Sequence, residues 1–173
     1  EGPFGDHFGH YSDAHDFPVF HVRAITRRKN AIYPATVVGI PPQEDRYLGD
    51  AAQQALNPLV RLIHPEVRSI WAYYESGFHH LLVVSVESRY TREHIKTALG
   101  LLGQGQLSLT KAIVLVNPDV NPGDPSAVLA EIRRNFNTPQ DFQLIARAPG
   151  DTLDFATPGR HRGSKMIIDA TGD

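Results

Sequence analysis

The stretch that most constrains this fold runs from residue 79 to residue 117. It holds two short apolar runs, "HHLLVVSVE" (79–87) and "KAIVLVN" (111–117), rich in β-branched residues and bounded by polar ones, which read as strands. Between them Ile95, Ala98, Leu99 and Leu102 recur at helical spacing. Thr91 is a candidate N-cap, and His94 occupies the place where a capping box would carry its acid. The alternation extends in both directions. "VRSIWAYYE" (67–75) reads as a strand turning back at Ser76-Gly77. Asp124-Pro125 is an N-cap followed by proline at the first helical position, with Val128, Leu129, Ile132 and Phe136 as the expected buried face. "FQLIARA" (142–148) and "KMIIDAT" (165–171) supply two more strands. Residues 65–173 therefore read as an α/β domain around one mixed sheet.

The chain ahead of that domain has a different pattern. In "EDRYLGDAAQQALNPLVRLIHP", Leu48, Ala52, Leu56, Leu59 and Ile63 form one apolar stripe, and Pro42 before Gln43-Glu44-Asp45 suits a helix start. Gly49 weakens this helix slightly and Pro58 is expected to kink it. It reads as a connector ending near His64-Pro65. Before it, "PVFHVRAITRR" (18–28) and "AIYPATVVGI" (31–40) read as strands joined at Lys29-Asn30, with Pro34 marking an edge or a bulge. Residues 1–16, rich in Gly, His and Asp, read as a loop.

Composition closes off several classes of function. The formal net charge is −2, so no global basic field exists to recruit nucleic acid or anionic lipid. With no cysteine, disulfides, zinc–thiolate sites and Cys nucleophiles are excluded, and a cytoplasmic location is expected. No apolar run approaches the roughly 20 residues that span a bilayer, and no signal peptide is visible. The single methionine is Met166 and the chain opens on Glu1, so a piece of a longer protein is expected.

Candidate chemistry gathers at the opening, "EGPFGDHFGHYSDAH". Glu1 and Asp6 are five apart, which puts them on opposite faces of a strand and about 140° apart on a helix. The Gly2-Pro3-Phe4-Gly5 turn between them can aim both carboxylates at one point, where their proton affinities would be driven apart. The alternative is a solvated acidic loop. His7, His10 and His15 beside Asp6 could hold a metal, although their spacing matches no metal signature. His79-His80 opens a strand, where a packed or solvated role is expected. "PGRHRGSK" (158–165) gathers Arg160, His161, Arg162 and Lys165 among glycines and could grip a phosphate. "GQGQLSLTK" is neither a Walker loop nor a dinucleotide fingerprint, and no serine nucleophile motif stands out.

Taken in order, "EGPFGDHFGHYS", "IPPQED", "SGFHHLLVVSV", "TKAIVLVNPDVNPGDPSAVLAEI", "LDFATP" and "GSKMIIDATGD" resemble the C-terminal portion of the UbiD-type carboxy-lyases, the prenylated-flavin-dependent decarboxylases, over nearly the whole chain. The resemblance implies that residues 1–42 are the end of a split β-barrel flavin-binding domain, 43–64 a connector helix and 65–173 a C-terminal α/β dimerisation domain. It implies reversible, non-oxidative decarboxylation of an aromatic or α,β-unsaturated carboxylic acid on prenylated FMN. Within an acid–arginine–acid network, Asp6 matches the proton donor and Glu1 its partner. The family's second acid is commonly Glu, so Asp6 is one methylene shorter.

The network's arginine and the ligands of a divalent metal (Mn2+ or Mg2+) and of K+ are expected upstream, in a missing N-terminal portion, so this piece alone is expected to be inactive. By the same resemblance, Tyr47, Ala51, Leu109 and Phe155 would face the substrate, and Lys111 the cofactor. A homodimer or higher oligomer is expected. The rival reading is a non-catalytic assembly or dimerisation subunit.

Overall fold

The structure is a computed structural model that describes every residue except Pro41 and Pro158. The motifs "IPPQED" and "LDFATP" each contain one of these prolines, which lie outside the described residues. The chain divides into two compact units, Glu1–Tyr47 and Leu48–Asp173.

The larger unit is built on the expected mixed sheet. Helix α1 (Glu44–Ile63) leads into strand β1 (Val67–Ala72), and a short 3-10 turn at Tyr74–Ser76 returns the chain as β2 (Leu81–Val86). Helix α2 (Glu93–Leu102) and a second 3-10 segment (Gly105–Leu109) precede β3 (Ala112–Val116). Helices α3 (Pro125–Asn135) and α4 (Thr138–Asp141) precede β4 (Phe142–Ala148), and β5 (Gly163–Asp169) closes the sheet. The strand order is β1-β2-β3-β5-β4. β2, β3 and β5 run parallel in the middle, while β1 and β4 lie antiparallel at the two edges.

The central strands are apolar on both faces because both are covered. Leu82, Val84, Val86, Ile113, Leu115 and Ile167 pack with Ala98, Leu101 and Leu102 of α2. On the other face Val83, Val114 and Val116 pack with Val128 and Ile132 of α3. The N-cap of α3 forms as expected: Asp124 accepts hydrogen bonds from the backbone N–H groups of Ser126 and Ala127 at 2.9 and 3.3 Å.

Elsewhere the structure corrects the apolar stripes. In α2 Leu101 is fully buried and Leu99 is 48% exposed. The helix begins one residue beyond the expected place, with Arg92 as N-cap in the left-handed region (φ 63) and no side-chain cap. Thr91 therefore lies outside it. In α3 Leu129 is 66% exposed and Phe136 is the C-cap. In each case a polar residue takes the inner position, Glu93, His94 and Thr97 in α2 and Glu131 in α3, which periodicity of apolar residues cannot register.

The largest correction concerns α1. It runs unbroken through Pro58, and none of its residues is buried. Leu48, Leu56, Leu59 and Ile63, the expected inner stripe, are all more than half exposed. The helix meets the sheet through amides instead. Asn57 donates from Nδ2 to the carbonyl of Ile70 (3.2 Å) and accepts the N–H of Ile70 on Oδ1 (2.9 Å). Gln53, one turn earlier, does the same with Ala72 at 3.0 and 2.5 Å. β1 is an edge strand with unpaired backbone groups, and the two amides satisfy them as a neighbouring strand would. Gly49 also serves this docking, since a Cβ there would collide with the ring of Phe78.

In the smaller unit the expected strands at 18–28 and 31–40 are absent from the described residues, and only Lys29-Asn30 takes the expected turn. Phe20, Ile25, Ile32 and Tyr33 are each more than four-fifths exposed. A strand persists by ladder pairing and burial of one face, and two strands alone are marginal.

Candidate active site

The opening loop is an irregular hairpin. Backbone bonds join His15 to Glu1 (3.0 Å), Ser12 to Phe4 (2.8 Å) and Asp6 to His10 (3.0 Å), and Gly5 bridges Tyr11. Phe4 and Phe17 stack edge to face with ring centres 6.2 Å apart. At the tip, Asp6 organises the turn. Its Oδ1 accepts the N–H of Phe8 at 2.8 Å and of His10 at 3.4 Å, while its carbonyl accepts from Gly9. Asp6 is 9% exposed, and its second oxygen, Oδ2, is buried without a hydrogen-bond partner. An unpaired carboxylate oxygen held out of water is costly unless something meets it there. Glu1 stands at the open end of the hairpin, exposed, with its terminal amine donating to the carbonyl of His15 at 2.5 Å. Among the described residues no group of three or more His, Cys, Asp or Glu side chains could hold a metal, so His7, His10 and His15 do not form the cluster their sequence proximity allowed.

In the larger unit a second polar constellation sits where β2 and β3 begin. Nδ1 of His79 lies 2.5 Å from Oδ2 of Asp151, and Nε2 of His80 lies 4.0 Å from Oδ1 of Asp154. Lys111 places Nζ 2.8 Å from Oδ2 of the same Asp154. Both aspartates are buried. Burial works to raise the Asp151 pKa, yet the bonds from His79 and from the Leu153 N–H outweigh it and the carboxyl ends below its usual value. Burial, opposed by Asp154, lowers the pKa of His80. Lys165, also buried, donates to the carbonyls of Ser108 (2.6 Å) and Thr110 (2.7 Å), and burial lowers its pKa.

The structure thus brings Lys111 beside the "LDFATP" segment, where Phe155 is 45% exposed. Leu109 is partly buried in its 3-10 segment, two residues from Lys111. Ala51 lies on an exposed stretch of α1. Tyr47, 70% exposed, belongs to the smaller unit. Asp151, Asp154 and the paired roles of His79 and His80 escaped the sequence reading. The signal was available: adjacent histidines before one strand, and two aspartates three apart in the loop before another.

The opposite end of the sheet holds a third group. His94, 1% exposed, bridges Oγ of Ser88 (3.0 Å) and Oδ2 of Asp169 (2.7 Å). Oδ1 of Asp169 accepts from the N–H and hydroxyl of Thr171. Burial works against the Asp169 charge, but His94 and Thr171 outweigh it and lower its pKa. With Asp169 anchored and His94 shut from solvent, this chain of bonds ties α2 to the end of β5.

Comparison with known proteins accounts for both units. Residues 46–170 match the family model of the 3-octaprenyl-4-hydroxybenzoate carboxy-lyase C-terminal domain, and residues 1–41 match that of the Rift-related domain of the same enzymes. Over 172 residues, 99% of the chain, it is 48% identical to a 4-hydroxybenzoate decarboxylase polypeptide of Chlamydia pneumoniae, of which it covers 30%. The vanillic acid decarboxylase of Sedimentibacter hydroxybenzoicus in its closed form superposes with a TM-score of 0.82 at 29% identity, over 99% of this chain and 36% of that one. The UbiD-class enzyme HmfF of Pelotomaculum thermopropionicum, in complex with FMN, gives a TM-score of 0.74 at 27% identity, over 99% and 38%. The chain therefore spans about a third of the length of the relatives it matches.

Proposed function

This chain belongs to the UbiD carboxy-lyase family, and from that we propose that it is the C-terminal part of a decarboxylase. The proposed reaction is reversible, non-oxidative loss of CO2 from an aromatic or α,β-unsaturated carboxylic acid on prenylated FMN. Its domains would be the end of a split β-barrel flavin-binding domain (1–42), a connector (43–64) and a C-terminal dimerisation domain (65–173). The observation that carries the reading is Asp6. Two backbone N–H groups fix one carboxylate oxygen, and the other is buried and unpartnered at the hairpin tip.

When bound, the flavin supplies an electron sink for the pair left as CO2 departs. Asp6 would hold a proton on Oδ2 and deliver it to the carbon that lost CO2, as a general acid. Glu1 would tune charge beside it. Lys111 fits the proposed cofactor role, since its ammonium has three donors and the Asp154 bond engages one. Tyr47, Ala51, Leu109 and Phe155 remain the proposed pocket walls. The chain's described residues offer no metal-binding group, so any Mn2+, Mg2+ or K+ would be held mainly from outside it.

The test uses the full-length protein that carries this chain, loaded with prenylated FMN, with CO2 release and solvent-deuterium incorporation as readouts. Asp6→Asn preserves the acceptor Oδ1 and the turn, and should cut both readouts by about a hundredfold or more. Undiminished turnover in that variant would overturn the role of Asp6. The exposed apolar residues of α1, Leu56, Leu59 and Leu62, favour a second reading, a non-catalytic assembly subunit. That reading gains if the protein assembles normally but never takes up flavin.

A further inference from the structure

A cavity of about 610 Å³ opens within the larger unit, lined by β4, β5 and the loop between them. That volume lies in the range of small-molecule sites. Its interior is made by small side chains: Ala146, Ala148, Ala156, Gly163 and Ser164, with Met166 beside them. Larger residues at these positions would fill the space. Its cationic members are Lys111, Arg147, His161 and Arg162, and among the described residues no acidic side chain lines it.

Two independent features indicate that these cations are placed rather than merely solvated. The register of β4 against β5 slips between Ile145 and Ala148, so Arg147 sits in a bulge. Bulges of this kind re-aim a side chain. Arg147 has φ 57 and His161 has φ 55, so two of the four non-glycine residues with positive φ among the described residues line this one cavity. Such backbone is disfavoured for side chains of this size and is held only where its surroundings insist on it. The second feature is pairing. Lys111 is matched by Asp154, whereas Arg147 and Arg162 form no ion pair with any described carboxylate. Elsewhere in this unit Arg68, Arg89, Lys96 and Arg134 all do. A cavity with an apolar interior and two uncompensated guanidinium groups at its rim suits a dianionic group on a compact apolar body.

We propose that the cavity between β4, β5 and their connecting loop binds an organic phosphate monoester, whose phosphate is held by Arg147 and Arg162 and whose apolar body lies against Ala146, Ala148 and Met166. This goes beyond the decarboxylation site and does not depend on it.

Calorimetric titration of the flavin-free protein with 1-naphthyl phosphate tests it. The expected result is saturable binding at least about tenfold tighter than that of either 1-naphthol or inorganic phosphate. Arg147→Gln with Arg162→Gln, both exposed positions, should weaken naphthyl phosphate about tenfold or more without lowering the unfolding temperature. Ala146→Leu, which keeps every charge and fills the interior, should weaken it as well. Equal affinity for 1-naphthol, or for inorganic phosphate, or indifference to the arginine pair would overturn the proposal. So would displacement of the probe by FMN, which would make the cavity part of the flavin's own site. Because the readout is binding without flavin, its failure leaves the decarboxylase reading untouched, and failure of the Asp6 test leaves this one untouched.

Discussion

Whether a leucine holds this domain together depends on two positions of helix phase. Leu101 is inaccessible and packs with Leu82, Val84 and Ile113, while Leu99, two residues away, is 48% exposed. Leu101→Ala should cost about 2–5 kcal/mol, and Leu99→Ala about 0.5 kcal/mol or less, in equilibrium denaturation. Comparable losses from both would contradict the assigned face. Spacing alone favoured Leu99 because it continues the series Ile95, Ala98, Leu102. The deciding fact is non-local: the inner face also carries Glu93, whose partner is Arg89, and Thr97, which donates to Glu66. Asp124 was legible for the opposite reason. Its cap needs only Ser126 and Ala127, so nothing beyond its immediate neighbours had to be known. Asp6 lies between these cases: the acid in a glycine-rich turn was visible, but its burial was not.

At the scale of elements, the joint between α1 and β1 is the least expected feature. Amphipathic reasoning assigns a helix its inner face by its apolar residues, and here that face carries Gln53 and Asn57. The surface left over, with Leu56, Leu59, Leu62 and Ile63, is apolar and exposed. The joint makes a sharp prediction. Asn57→Ala leaves the N–H and carbonyl of Ile70 without their partner and should destabilise the domain by about 1–3 kcal/mol. Amide hydrogen exchange should quicken at Ile70 and stay slow at Val84, on the central strand. Unchanged exchange at Ile70 would mean that the helix, rather than its amides, shields the edge. The strands of the sheet itself were easier to read, since "LLVVSV" and "AIVLV" are apolar on both faces wherever they stand in the order. Segments 18–28 and 31–40 share the composition of strands, but composition cannot supply ladder partners.

For the whole molecule, buried carboxylates set the response to acid. The bond from Arg89 holds Glu93 down at about 2, against burial, which would raise it. Burial would likewise raise Glu66, Asp151 and Asp169, yet Thr97, His79 and His94 respectively leave each below its ordinary value. Unfolding restores the ordinary values, so the unfolded chain binds more protons as the pH drops. The stabilisation is complete above the ordinary carboxylate values of 4.5 and 3.8 and is lost progressively below them, for Glu93 down to about 2. His80, kept neutral by burial, adds a smaller loss that begins below its ordinary 6.5. Urea denaturation across pH 7 to 2 should therefore show a shallow decline and then a steep one. Glu93→Gln should be less stable at neutral pH and flatter between pH 4.5 and 2. An identical slope in that variant would remove Glu93 from the account.

Pro58 takes on a different meaning beside Asn57. Asparagine ages in proteins when the backbone nitrogen of the next residue attacks the side-chain carbonyl, closing a succinimide that opens to aspartate. Proline has no N–H to give, so that route is closed at Asn57. An aspartate there could still accept from the N–H of Ile70 but could no longer donate to its carbonyl. The residue that looks misplaced in the middle of a helix thus makes the joint durable, guarding over the protein's lifetime the one amide on which the sheet edge most depends.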